Sequence, residues 1–222
     1  MNRFLAVFFP PKCPYCSKAI RYDQTECIVC RAGFPKMPRI ALLPTGEICI
    51  APFTYNTTVR KAMLEYKFRG RKFNSESFAS ALAYAINTVY TKDMTFEVIT
   101  CVPMSSERKK VRGFNQSELI AKNAARILGK PFEQLLYRDK GAAVQHELSY
   151  HERINNKDNT FHAIHPEKIK GRKILLIDDI MTSGMTLSAC CGVLKENGAD
   201  RILCSAVAMH KGNDSGRCFR FR

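Results

Sequence analysis

Ile174-Leu175-Leu176-Ile177-Asp178-Asp179-Ile180-Met181-Thr182-Ser183-Gly184-Met185-Thr186 is the stretch that decides the fold. Residues 174–177 are four consecutive apolar residues, the pattern of a strand buried on both faces. Two adjacent carboxylates, Asp178 and Asp179, follow at its carboxyl end. Small hydroxyl residues and one glycine come next. A helix is expected over residues 187–197, ended by Gly198. Residues 201–209 read as another apolar strand. Strand, helix and strand at this spacing indicate a parallel sheet with a crossover. The expected fold class is therefore α/β, a parallel sheet flanked by helices.

The same stretch carries chemistry. Backbone N–H groups at a helix N-terminus, with the hydroxyls of Thr182, Ser183 and Thr186, make a cradle for a phosphate. Gly184 lets the backbone approach phosphate oxygens closely, with Met185 beside it in the turn. Asp178 and Asp179 can accept hydrogen bonds from two neighbouring ribose hydroxyls, or hold them through Mg²⁺ and water. Open parallel sheets place ligands at the carboxyl ends of their strands, where this segment lies. Paired acids also end strands in response-regulator receivers and dehalogenase-like phosphatases, but those do not need the Thr-Ser-Gly-x-Thr run. No G-x4-G-K-[ST] and no G-x-G-x-x-G occurs, so a P-loop NTPase is excluded.

Working outward, residues 96–102 read as a strand that Pro103 stops. Residues 105–112 are polar and basic and read as a loop. Residues 115–128 read as an amphipathic helix with Gly129 at its C-cap, and Asn115 is placed to cap its start. Residues 59–66 read as a short helix followed by a basic stretch over 67–72. Residues 75–91 read as an Ala-rich helix with Glu76 in its first turn. Residues 137–160 are polar and longer than a usual connection, which suits a functional lid or disorder.

At the other end stand two C-x2-C knuckles, Cys13-Pro14-Tyr15-Cys16 and Cys27-Ile28-Val29-Cys30. Each brings two sulfurs to one ion, and together they complete a tetrahedron. Zn²⁺ is the expected ligand, in a closed structural site. A unit of roughly 35 residues buries too little apolar surface to stand alone, so the metal would supply most of its stability. The domain reading is a zinc-binding, zinc-ribbon-like module over 1–36, a connector and first strand over 37–58, and the main α/β domain over 59–222. The other six of the ten cysteines are scattered, and most read as buried small hydrophobes.

The formal charge is +15 over 222 residues, which favours phosphates, nucleic acid or an acidic partner without choosing among them. The apolar run over residues 4–9 is too short to span a bilayer and lacks a signal-peptide cleavage site. A cytoplasmic chain with no membrane span is the expectation.

The thirteen residues quoted first look like the phosphoribosyl-pyrophosphate (PRPP) motif of type I phosphoribosyltransferases. Val102-Pro103, Arg112-Gly113-Phe114-Asn115-Gln116, and residues 145–148 with Glu152, Arg153 and Asn156 resemble the ComF family, as do the knuckles placed first. ComF proteins belong to the natural-competence apparatus of bacteria, which takes up single-stranded DNA for transformation. The resemblance implies that Asp178 and Asp179 hold the ribose hydroxyls and residues 182–186 the 5′-phosphate. Val102, Pro103, Met104 and Ser105 would lie against the pyrophosphate, and Lys67 and Arg112 are placed to reach diphosphate oxygens. It implies that residues 137–156, with Arg138, Gln145 and Arg153, form a mobile loop over the substrate. Mg²⁺ is the implied second metal. Single-stranded DNA and competence proteins such as a DNA-uptake helicase are the implied partners.

Two functions stay open. One is a transferase that releases pyrophosphate from PRPP to a nitrogen acceptor, with Glu147 or Glu152 available as proton acceptor. The other is a module that binds PRPP, a nucleotide or single-stranded DNA without chemistry. Phe68, Phe73 and Phe114, interleaved with basic residues, would permit base stacking. No segment plainly forms a hood over a nucleobase.

Overall fold

The computed structural model describes residues 10–90, 94–139 and 160–210. Its core is a six-stranded sheet. The strands are β1 (Arg39–Leu42), β2 (Ile48–Ala51), β3 (Phe53–Thr54), β4 (Val98–Cys101), β7 (Lys173–Met181) and β8 (Arg201–Met209). The order is β1-β2-β8-β7-β4, and β3 pairs with the far end of β8. β2, β8, β7 and β4 run parallel, and only β1 is antiparallel to its neighbour. The register sets Ile174 beside Ile202 and Ile177 beside Ser205, so the apolar run of β7 lies mid-sheet. Residues 174–177 are fully buried, as a strand covered on both faces requires.

Helices α2 (Thr57–Phe68), α3 (Asn74–Val89) and α5 (Gln116–Leu128) cover one face. Helix α6 (Met185–Glu196) and the hairpin β5 (Leu136–Arg138) with β6 (Phe161–Ala163) cover the other. Each face thus buries its own apolar cluster, the three-layer solution for a parallel sheet.

Several boundaries differ from the sequence reading. Residues 105–112 are not a loop: helix α4 (Ser106–Arg112) occupies them, with Ser105 as N-cap and Gly113 left-handed at its end. Val111, its one apolar residue besides the cap region, is 86% exposed, so no hydrophobic period betrays it. Strand β7 continues past Ile177 to Met181, so Asp178 and Asp179 lie inside the strand rather than beyond it. Helix α6 starts at Met185, two residues before the expected start. Residues 37–58 carry three strands rather than one. The parallel strand–helix–strand unit, the Asn115 cap and the Gly129 cap are as expected.

The short helix α1 (Ile28–Ala32) belongs to the N-terminal module. Tyr15 projects from the first knuckle into the main core. Its ring meets Phe34, Phe53 and Phe78 at 5.0, 5.7 and 6.3 Å, and its hydroxyl meets Ser77 Oγ at 3.1 Å. Cys13, Tyr15 and Ile20 therefore share one apolar cluster with α2 and α3. Cys49, Cys101, Cys190, Cys191 and Cys204 are buried free thiols; burial raises the pKa values of Cys49, Cys101 and Cys190, and the adjacent Cys191 thiol, then burial, raises that of Cys204. Among the described residues no helix is long and apolar enough to cross a membrane. The run over residues 4–9 and Cys218 lie outside the described residues.

Candidate functional site

A cleft of about 220 Å³ opens at the carboxyl ends of β4 and β7. Lys67, Val102, Pro103, Met104, Arg108, Arg112, Asn115, Arg138, Asp178, Asp179 and Thr186, all singled out from sequence, line it, joined by Ser117 and Ile180. The turn after β7 opens a smaller hollow alongside, lined by Thr182, Gly184 and Thr186. Ser183 and Met185 are exposed on that turn. Ser105 is nearly buried and accepts weakly from the Arg108 N–H at 3.5 Å as the α4 cap.

The two carboxylates are not equivalent. Asp178 Oδ1 accepts from Ser117 Oγ at 2.9 Å and from the Asp179 N–H at 2.8 Å. Its removal from water and the neighbouring Asp179 charge push its pKa up to about 7. Asp179 instead pairs with Lys67 Nζ at 2.9 Å, both side chains about six-sevenths buried. A carboxylate has about four lone-pair sites, so each acid keeps acceptor capacity towards the cleft.

The turn suits an anion. Gly184 has φ +79° and caps α6 without a side chain. The first intrahelical bond is Ser188 N–H to Gly184 O, leaving the earlier N–H groups without helical partners, apart from a marginal 3.5 Å contact from Met185 N–H to Ser183 Oγ. A Cβ on Gly184 would lie 2.9 Å from Leu43 Cδ2, so the turn is also closely packed.

Cations gather in the same cleft as the acids. Arg112 stacks over Phe68 at 5.1 Å and donates to Gln116 Oε1 at 3.2 Å. Arg138 lies over Phe161 at 5.0 Å, and burial, then the nearby Arg108, lowers its pKa. Guanidinium groups held together in this way are arranged for a polyanion. Arg108 belongs to the basic run over residues 105–112, and its place in helix α4, four residues before Arg112, brings both to the cleft. Ser117 had no sequence signal, because its partner is 61 residues away. Of the three phenylalanines proposed for stacking, Phe68 is exposed beneath Arg112. Phe73 is part-buried, and Phe114 packs on Tyr66 at 5.3 Å. Gln145, Glu147, Glu152, Arg153 and Asn156 lie outside the described residues, as do the tail residues beyond 210.

The four knuckle sulfurs, Cys13, Cys16, Cys27 and Cys30, lie within 4.8 Å of one another. Cys16 Sγ and Cys27 Sγ are 3.6 Å apart, near the roughly 3.8 Å that a tetrahedral Zn–S₄ site demands. The first knuckle closes through Ser17 N–H to Cys13 O, with Ser17 at φ +63°. The second closes at the start of α1, where the Cys30 N–H donates to Cys27 Sγ at 3.4 Å and lowers that thiol to about 7. This donor set fits Zn²⁺.

Comparison with known proteins agrees with the geometry. The Phosphoribosyl transferase domain family matches residues 115–217. The DNA utilization protein YhgH of Escherichia coli K12 is 31% identical over 199 residues, covering 84% of this chain and 85% of that protein. Competence protein ComFC of Bacillus subtilis is 31% identical over 186 residues, covering 84% and 72%. Among solved structures, the glutamine PRPP amidotransferase from B. subtilis aligns with a TM-score of 0.46 at 18% identity. That alignment spans 65% of this chain and 30% of that one. The fold is of the type I phosphoribosyltransferase kind, and with 31% identity sustained over most of its length the chain belongs to the ComF family of phosphoribosyltransferase-like proteins.

Proposed function

We propose that the cleft binds PRPP with Mg²⁺ and transfers its phosphoribosyl group to a nitrogen acceptor, releasing pyrophosphate. One observation carries this reading. Two adjacent carboxylates share one cleft with Lys67, Arg108, Arg112 and Arg138, beside the turn over 182–186 that starts α6. A ribose diol, a 5′-phosphate and a diphosphate need these three surfaces side by side.

Asp178 and Asp179 would accept from the two ribose hydroxyls. The N–H groups and hydroxyls of residues 182–186 would hold the 5′-phosphate. The bond between C1 and the diphosphate oxygen breaks as the acceptor nitrogen attacks from the opposite face. Charge then grows on the departing diphosphate, and Arg108, Arg112, Arg138 and Lys67 are placed to offset it. Asp178 and Asp179 would hold Mg²⁺, which would supply positive charge to offset that of the departing group. Zn²⁺ at the four cysteines would be structural, since all four positions are protein sulfurs.

The names of the relatives, in competence and DNA utilization, support a role in DNA uptake and transformation. The exposed Lys72, Lys109 and Lys110 near the cleft favour a second reading, a non-catalytic module for a nucleotide or single-stranded DNA. Pyrophosphate release separates the two. Incubation with PRPP, Mg²⁺ and candidate amines should release pyrophosphate from wild type and not from Asp178→Asn/Asp179→Asn. Binding without release by any acceptor would support the module.

A further inference from the structure

Three successive polar residues, Asn115, Gln116 and Ser117, are buried at the start of α5. Buried polar groups at a helix start need a reason beyond capping, because an exposed cap costs less desolvation. Each has a partner, and each partner belongs to a different piece of the cleft. Asn115 Nδ2 donates to Val102 O at 3.2 Å, where β4 gives way to the loop over 102–105. Gln116 Oε1 accepts from Arg112 Nη1 at 3.2 Å. Ser117 Oγ donates to Asp178 Oδ1 at 2.9 Å. The Gln116 carbonyl also accepts from Tyr66 Oη at 2.9 Å, and Tyr66 precedes Lys67 on α2.

We propose that Asn115, Gln116 and Ser117 are the positioning residues of the cleft: one helix start fixes the spacing between the diphosphate wall and the diol-binding carboxylate. The inference rests on the PRPP reading above and deepens it. Four segments, at 66–67, 102, 112 and 178, each form a hydrogen bond to one of these three residues. Ser117 sets which way Asp178 presents its remaining oxygen. Gln116 holds the Arg112 guanidinium from one edge, while Phe68 holds it from its face. Asn115 sets the height of the 102–105 loop and caps α5 with the same amide, through its bond from the Ser117 N–H at 3.1 Å.

The consequence is a division of labour that simple packing would not give. Loss of the Ser117 hydroxyl should harm the ribose side, and loss of the Gln116 amide should harm the diphosphate side. Calorimetry on the full chain with ribose 5-phosphate and with inorganic pyrophosphate, each with Mg²⁺, tests this. Ser117→Ala should weaken ribose 5-phosphate about tenfold, the usual weight of a bond to a charged group, and leave pyrophosphate within about twofold. Ser117→Thr should restore it. Gln116→Met, which keeps the volume, should weaken pyrophosphate about fivefold and spare ribose 5-phosphate. If Ser117→Ala fails to fold, Ser117→Cys reads the same contact through a weaker donor. Both ligands weakening together, or neither changing in folded variants, would overturn the proposal. If wild type binds neither ligand, the PRPP reading fails first and takes this inference with it.

Discussion

At the residue scale, the cleft puts two neighbouring acids in different electrical states. Asp179 has Lys67, while Asp178 has a hydroxyl, an N–H and a like-charged neighbour. The Asp178 carboxyl titrates near 7 in the folded, ligand-free chain against 3.8 for the ordinary group. Between those values the folded state binds the extra proton, so the contribution of Asp178 to stability is fully present below about pH 4 and is lost as pH rises to about 7. Asp178→Asn should remove that decline, and urea unfolding of both proteins from pH 4 to 8 should show the curves separating in this window. Gly184→Ala should cost about 1–2 kcal/mol, since φ is +79° and the new Cβ meets buried Leu43. Its unfolding midpoint would show it. The paired acids and the glycine were legible because each is a local requirement of strand end and tight turn. Ser117 was not, since only the packing of α5 against β7 gives its hydroxyl a target.

At the element scale, α4 shows where sequence reading ends. A helix is legible when it has a buried stripe, and Ser106–Arg112 has none. Its signals were at its ends: Ser105, Glu107 in the first turn and Gly113 beyond. Strands β5 and β6, three residues each, lie at the two ends of the polar stretch over 137–160 and are set by pairing with each other. Helices α3 and α5, with apolar stripes, were read to within two residues. Because α4 carries Arg108 and Arg112, its cap bears on the cleft. Ser105→Ala should cost about 0.5–1 kcal/mol, at the low end for its long cap bond, while Ser105→Asn should not. Chemical denaturation compares the two, and equal losses would mean that capping is not the role of Ser105.

At the scale of the whole molecule, the cysteine module and the α/β domain share a core through Tyr15. Stripping the metal should therefore do more than loosen an appendage. A strong chelator should lower the single melting transition by several degrees and weaken protection of the α3 amides near Ser77 and Phe78 in hydrogen exchange. An unchanged melting temperature would mean that the cysteines hold no metal of structural weight. The central claim is that the cleft between β4 and β7 is a PRPP site, and calorimetric titration of PRPP with Mg²⁺ tests it most directly. The account predicts saturable 1:1 binding by the wild-type chain and its loss in Asp178→Asn/Asp179→Asn with folding intact. Absence of binding by the folded, zinc-loaded wild type, or equal binding by the double variant, would contradict it.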